Sequence, residues 1–248
     1  MTLPEGYKTQ VQHIQESSKF RIDSGVRVAA RFPGYTLITP PAKEDADNAA
    51  FYGQIEAYQQ QLLQLPIAKD LIVPVPPASF HVTVADLIWD SAFAHACEKN
   101  PRFAEDLNFQ LTERFQEYQQ LMTNGSDSIS WQMLGLIVMP RAVGVCLVPK
   151  DKRSYEEIIQ FRRIIYQNRT LMGLGIEQHY HFTAHVTLGY FGEIPSELDR
   201  VNLSQMFSDF NQSLLLNNPE FAIKKVELRK FDDMTDYYRQ PDWPSLDF

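Results

Sequence analysis

Two tetrapeptides of this chain carry the residues best suited to chemistry, His81-Val82-Thr83-Val84 and His185-Val186-Thr187-Leu188. Both sit in runs of β-branched and apolar residues that read as strands. Side chains alternate along a strand, so each segment turns an imidazole and a hydroxyl to one face and branched apolar side chains to the other. If the two polar faces meet, two imidazoles and two hydroxyls converge in one cleft. Opening a phosphodiester needs such a set. One group takes a proton from the attacking oxygen, a second protonates the leaving oxygen, and donors hold the non-bridging oxygens where negative charge gathers. An unperturbed imidazole titrates near pH 6.5, so at neutral pH one ring can accept a proton while the other donates one.

The elements that must position these groups repeat as well. Leu37-Ile38-Thr39-Pro40 precedes a predicted helix and then the first tetrapeptide, and Cys146-Leu147-Val148-Pro149 precedes a predicted helix and then the second. The proline-to-histidine intervals are 41 and 36 residues. Such a period is too long and too rarely repeated for a solenoid, so two related lobes facing each other are expected.

Residues 1–30 are polar without a clear period and read as a surface extension. A strand at Tyr35 to Pro40 ends at Pro40-Pro41, because proline offers no donor to a ladder. Phe51, Ile55, Tyr58, Leu62 and Leu65 recur at three- and four-residue steps and predict a helix over 47–65. Strands are expected at 71–75 and 80–89. Helical patterns run from Ser91 to Met122 with a break at Pro101, and Asn124-Gly125 marks a turn. In the second half the patterns predict strands at 131–139 and 143–148, a helix at 154–170, a strand at 180–191, a helix at 196–216 and a strand at 221–231. The acidic, aromatic end reads as a surface strap. The expected layout is an extension over 1–30, one bilobal domain of two intertwined lobes over 31–232, and a tail over 233–248.

Composition narrows the function classes. The chain has 248 residues, 44% of them hydrophobic, enough for a sizeable core and against disorder as its main state. No apolar run reaches the roughly 18 to 20 residues of a membrane span, and the start lacks a basic region followed by an apolar stretch, so a cytoplasmic protein without a membrane partner is expected. A net charge of −8 repels a long polyanion such as DNA but permits a small nucleotide or one end of an RNA where basic groups gather. Cys97 and Cys146 are too few for a disulfide framework and read as buried thiols. Oligomeric state is not legible.

The paired tetrapeptides, about a hundred residues apart and each on a predicted strand, resemble the His-x-Thr motifs of the 2H phosphoesterase superfamily. That superfamily includes 2′-5′ RNA ligase-like proteins, 2′,3′-cyclic nucleotide phosphodiesterases and 2′-5′ oligonucleotide phosphodiesterases. The resemblance follows the order of elements over roughly residues 33–232 and is specific only at the tetrapeptides. It implies an α+β fold of two pseudo-twofold-related lobes, mostly antiparallel sheet with outer helices around a central cleft. It also implies metal-independent, cofactor-free phosphodiesterase chemistry with His81 and His185 catalytic and Thr83 and Thr187 binding phosphate. The amino-terminal segment, the stretch from Ser91 to Met122 and the tail lie outside the minimal pattern.

Candidate substrate contacts are His181, Tyr35, Tyr190, Lys150 and Arg153, with Phe32 and Trp89 as further stacking candidates. Lys150, Lys152, Arg153, Arg162, Arg163 and Arg169 form a basic cluster that reads first as a solvated helix face. His179, His181 and His185 would share one face of an early-starting strand and so invite a metal. Residues two apart on a strand lie about 6.5 Å apart, however, which puts all three beyond the reach of one ion without a bend. The alternatives to the phosphodiesterase reading are a non-catalytic module for a phosphorylated ligand or RNA end, and a histidine-metal hydrolase.

Overall fold

The computed structural model describes residues 7–24, 26–121, 129–214 and 220–248. The expected turn at Asn124-Gly125 and the expected helix ends at Met122 and Leu216 lie outside them. The described residues begin with a short helix α1 (Tyr7–Gln10) and a hairpin, β1 (Phe20–Asp23) and β2 (Val26–Ala29). The first half continues as β3 (Gly34–Ile38), α2 (Ala49–Gln64), α3 (Pro66–Leu71), β4 (Ile72–Pro74), β5 (Thr83–Trp89), α4 (Asp90–Lys99) and α5 (Phe103–Leu121). The second runs β6 (Ile129–Val138), β7 (Ala142–Pro149), α6 (Lys152–Tyr166), α7 (Arg169–Gly173), β8 (His185–Phe191), α8 (Arg200–Leu214), β9 (Glu220–Ile223), β10 (Lys225–Phe231) and β11 (Ser245–Asp247).

Apart from the hairpin, the strands form two antiparallel sheets, ordered β11-β10-β3-β5 and β4-β8-β7-β6-β9. The orders superimpose as a duplication. Each motif strand, β5 or β8, pairs with the strand that precedes its helix, β3 or β7, and that strand pairs with β10 or β6. The fold is therefore α+β and bilobal, as the repeat implied.

The helix of each half buttresses the motif strand of the other. Gln59, on α2, donates from Nε2 to Leu188 O of β8 (2.7 Å) and to Val75 O (2.8 Å). On α6, Arg162 donates to Val84 O (2.5 Å) and Tyr166 to Asp86 O (2.7 Å), both on the edge strand β5. Arg162 and Tyr166 thus occupy two carbonyls of the edge strand, and Gln59 adds a second donor to the Leu188 carbonyl, which also accepts from Val75 N (3.2 Å). The apolar stripes of α2 (Phe51, Ile55, Tyr58, Leu62) and α6 (Ile158, Phe161, Ile165) are buried in one continuous core.

Several boundaries differ from the sequence reading for identifiable reasons. The helix expected over 154–170 ends at Tyr166, because Asn168 caps a new helix by accepting from Thr170 N and Leu171 N, each at 3.0 Å. The strand expected over 221–231 is two strands in different sheets. Phe221 and Ile223 are buried on one, Val226 and Leu228 on the other, so the alternation changes phase at Lys224. The strand expected from Tyr180 begins only at His185, and Phe182 before it packs on Trp131 (5.6 Å). The end of the chain does more than strap the surface: β11 adds an edge to β10. Cys97 and Cys146 are free thiols, partly rather than fully buried. Among the described residues, no helix is long and apolar enough to cross a membrane.

Candidate active site

Each motif strand carries a bulge just after its threonine, and the bulge decides which side chains face the cleft. In β5, Thr83 pairs with Ile38, but Ala85 pairs with Leu37 and Asp86 with Thr36, so Val84 is an extra residue. A second shift makes Leu87 extra and pairs Trp89 with Gly34. An extra residue inverts the alternation beyond it, so Asp86 and Trp89 join Thr83 on the face that simple alternation would have given to Ala85 and Leu87. In β8, Thr187 pairs with Gly144 and Gly189 with Val143, leaving Leu188 extra and bringing Tyr190 round to the face of His185 and Thr187. The halves thus read His-x-Thr-x-x-Asp (81, 83, 86) and His-x-Thr-x-x-Tyr (185, 187, 190).

The histidines are held alike. His81 Nδ1 lies 2.7 Å from Ser79 O, and His185 Nδ1 lies 2.7 Å from Thr183 O. A carbonyl only accepts, so both Nδ1 atoms carry the proton and each neutral ring keeps its lone pair on Nε2. The backbone just after the first ring is fixed: Val82 N donates to Thr39 Oγ1 and Thr39 N to Val82 O, both at 3.0 Å. The Tyr237 ring packs on His81 with centroids 4.2 Å apart.

The two rings bear on each other electrostatically. Desolvation is the largest cause that pulls His81 down from 6.5 to about 4, and the charges of His185, Arg229 and Lys19 add to it. Desolvation also lowers His185, together with Lys19, but Asp86 and the bond to Thr183 oppose the fall. Burial pushes the Asp86 carboxyl upward against the pull of Lys19, His185, Arg162 and His179. A chain of contacts links the strands as well. Tyr190 Oη and Tyr237 Oη donate to Met234 Sδ at 3.3 and 3.5 Å, and the Tyr237 ring lies on His81.

The other sequence candidates fare unequally. Tyr190 shares the strand face of His185 and Thr187. Tyr35 does not: it is 3% exposed, packed in the core against Phe93, Phe103 and Trp243. Lys150 pairs with Glu220 (2.5 Å) and Arg153 with Glu157 (2.5 Å), so both spend charge away from the histidines. His181 is exposed in the loop before β8, where strand alternation does not apply. Trp89 lies on the cleft face with its ring 4.8 Å from His179, and Phe32 stands beside Lys19. Arg162 is no part of a solvated face; it is 7% exposed, with its guanidinium over Phe182 and Tyr166. Among the described residues, no three His, Cys, Asp or Glu side chains group as a metal site.

Four contributors were not picked out in the sequence. Asp86 was hidden by the bulge, and Lys19, Met234 and Tyr237 lie in the end segments. A separate cavity of about 720 Å³, lined by Thr39, Glu44, Asp45, Asn48, Lys224 and Asp247 among others, includes none of these groups.

What fold and site define is a two-lobed α+β protein with a His-x-Thr pair on its duplicated strands. No family model and no curated protein matches the chain. Solved structures do. ATU0111 from Agrobacterium tumefaciens str. C58, a conserved protein of unknown function, shares the fold over 97% of this chain and 98% of its own, at 15% identity and a TM-score of 0.64. Escherichia coli LigT is also similar: in complex with NADP+, over 87% of this chain and 98% of its own (11% identity, TM-score 0.45), and in complex with 3′-AMP, over 80% and 88% (15% identity, TM-score 0.41).

Proposed function

We propose that the protein is a 2H-type phosphodiesterase that hydrolyses a small nucleotide or RNA-end phosphodiester, either a 2′,3′-cyclic phosphate or a 2′-5′ linkage, without a metal or organic cofactor. One observation carries the reading. Both motif imidazoles are locked by the same Nδ1 bond to the carbonyl two residues back, with Nε2 left for chemistry and the rings within each other's electrostatic reach.

In the proposed step, His81 is the base and His185 the acid. His81, drawn down to about 4, stays neutral, and Asp86 favours the proton on His185. Nε2 of His81 takes a proton from water as its oxygen bonds to phosphorus. The bond from phosphorus to the ester oxygen opposite breaks, and that oxygen leaves with the proton from Nε2 of His185. Thr83 and Thr187 donate to the non-bridging oxygens as charge builds. The product is a phosphomonoester and a free hydroxyl.

The test is turnover of 2′,3′-cyclic mononucleotides and 2′-5′ dinucleotides by the wild type, His81→Ala and His185→Ala, with and without EDTA. Loss of nearly all turnover in both variants, with EDTA inert, supports the reading. Activity that survives both substitutions and vanishes with EDTA transfers the chemistry to a metal. Tight binding of the panel without product makes the protein a binding module.

A further inference from the structure

We propose that Lys19, delivered by the amino-terminal segment, is a substrate-binding residue that grips a non-bridging oxygen of the phosphodiester opposite the two threonines. The inference deepens the phosphodiesterase reading and rests on it for the nature of the ligand.

Among the described residues, the motif strands themselves place no cation on the face of their threonines. Thr83 and Asp86 line one strand, with His81 two residues before it, and His185, Thr187 and Tyr190 line the other. Arg229, which bears on His81, is already bound by Glu44 and Glu227. Hydrolysis of a phosphodiester adds a negative charge as the pentacoordinate state forms, and threonine hydroxyls answer it with dipoles only. A fixed ammonium supplies what is missing.

Lys19 is built into this place. Its backbone is tied to the end of the second motif strand: Ser17 N donates to Phe191 O (2.8 Å), Lys19 N to Ser17 Oγ (3.3 Å) and Ala30 N to Lys19 O (2.9 Å). Its ammonium stands 4.8 Å from the ring centroids of both Phe32 and Tyr190 and 3.4 Å from Tyr190 Oη. Aromatic faces hold a cation without neutralising it. An ammonium has three N–H donors, and Tyr190 Oη takes only one. Because Tyr190 shares the face of His185 and Thr187, the remaining donors are at the mouth of the same site. Consistent with this, Lys19 depresses both histidines and pulls on Asp86.

The rival account is that Lys19 only balances the charge of Asp86. The experiment measures binding of inorganic phosphate by titration calorimetry, together with KM and kcat for a 2′,3′-cyclic nucleotide. The proteins are the wild type, Lys19→Met, Lys19→Arg and the double variant Lys19→Met/Asp86→Asn. Loss of a charge-assisted hydrogen bond predicts phosphate binding on the order of 10- to 100-fold weaker in Lys19→Met, with KM raised, and binding within a few-fold of wild type in Lys19→Arg. Circular dichroism checks the fold, and Lys19→Gln replaces the methionine variant if that one is unfolded. Equal phosphate affinity in wild type and Lys19→Met overturns the inference, as does restoration of wild-type affinity in the double variant or a wild type that binds no phosphate. Those results leave the hydrolytic reading intact if His81→Ala and His185→Ala still abolish turnover. Lys19-dependent phosphate binding in a protein that turns over nothing removes that reading and leaves the anion site standing.

Discussion

Raising the pH from about 5 to 8 is the perturbation for which the geometry makes the sharpest demand. The pH dependence of kcat/KM reports the ionisations of the free enzyme, so the relevant groups are the histidines as they stand in the empty cleft. His81, drawn down to about 4 by desolvation and by the charges of His185, Arg229 and Lys19, is already neutral and ready as a base at pH 5. His185 must carry a proton to act as acid. It lies below the ordinary 6.5 because burial and Lys19 outweigh Asp86 and the bond to Thr183. An acid with pKa no higher than 6.5 is at most about 24% protonated at pH 7 and about 3% at pH 8. A bell is therefore expected, with its maximum below about 6.5 and a fall of about tenfold per unit on its alkaline limb. Asp86→Asn removes the one carboxylate that favours the protonated ring and moves the alkaline limb to lower pH. The assay is initial-rate hydrolysis of a 2′,3′-cyclic nucleotide in constant-ionic-strength buffers. A flat profile from pH 6 to 9, or an Asp86→Asn limb that moves upward, would refute the assignment of His185 as acid.

Three further outcomes follow from particular contacts. Thr83→Val and Thr187→Val each remove one donor to the developing charge and should each lower kcat by about 10²-fold with the melting temperature little changed; unchanged kcat in both would take the hydroxyls out of the site. Arg229→Met strips the partner from buried Glu227 and half-exposed Glu44 and frees the Tyr237 carbonyl that the guanidinium holds at 3.1 Å. The cost in urea unfolding should be about 3 kcal/mol, near the low end for a broken buried pair because Glu44 remains 42% exposed, and a loss under about 1 kcal/mol would contradict it. Gly144→Ala places a Cβ 2.5 Å from Val186 O, directly across from Thr187. The β7–β8 pairing must then shift, at about 1 to 3 kcal/mol by overpacking and with a clear drop in turnover, and full activity would show that the second motif strand tolerates displacement.

Much of the fold was legible because each half obeys local rules. The stripes of α2 and α6, the break at Pro101 and the repeated strand-proline-helix-motif order all follow from side-chain period and backbone chemistry. The candidate site was legible only as far as it is symmetric. His81, Thr83, His185 and Thr187 announce themselves by repetition, whereas Lys19, Asp86 and Tyr237 occur once each. Asp86 was concealed because alternation counts residues, and the extra Val84 reverses the count; only pairing with β3 reveals it. Lys19 and Tyr237 belong to segments with no period of their own, and their place is set by contacts more than 150 residues distant, Lys19 with Tyr190 and Tyr237 with His81. Tyr35 misled in the other direction: an aromatic near a motif strand suits a core as well as a ligand, and here the rings of Phe93, Phe103 and Trp243 claim it.

The most direct measurement is a crystal structure with inorganic phosphate bound. The account predicts one phosphate with oxygens about 2.6 to 3.2 Å from Nε2 of both His81 and His185, and with Thr83 and Thr187 donating to the remaining oxygens. A phosphate that touches one ring only, or that binds elsewhere while both rings face empty solvent, would contradict it.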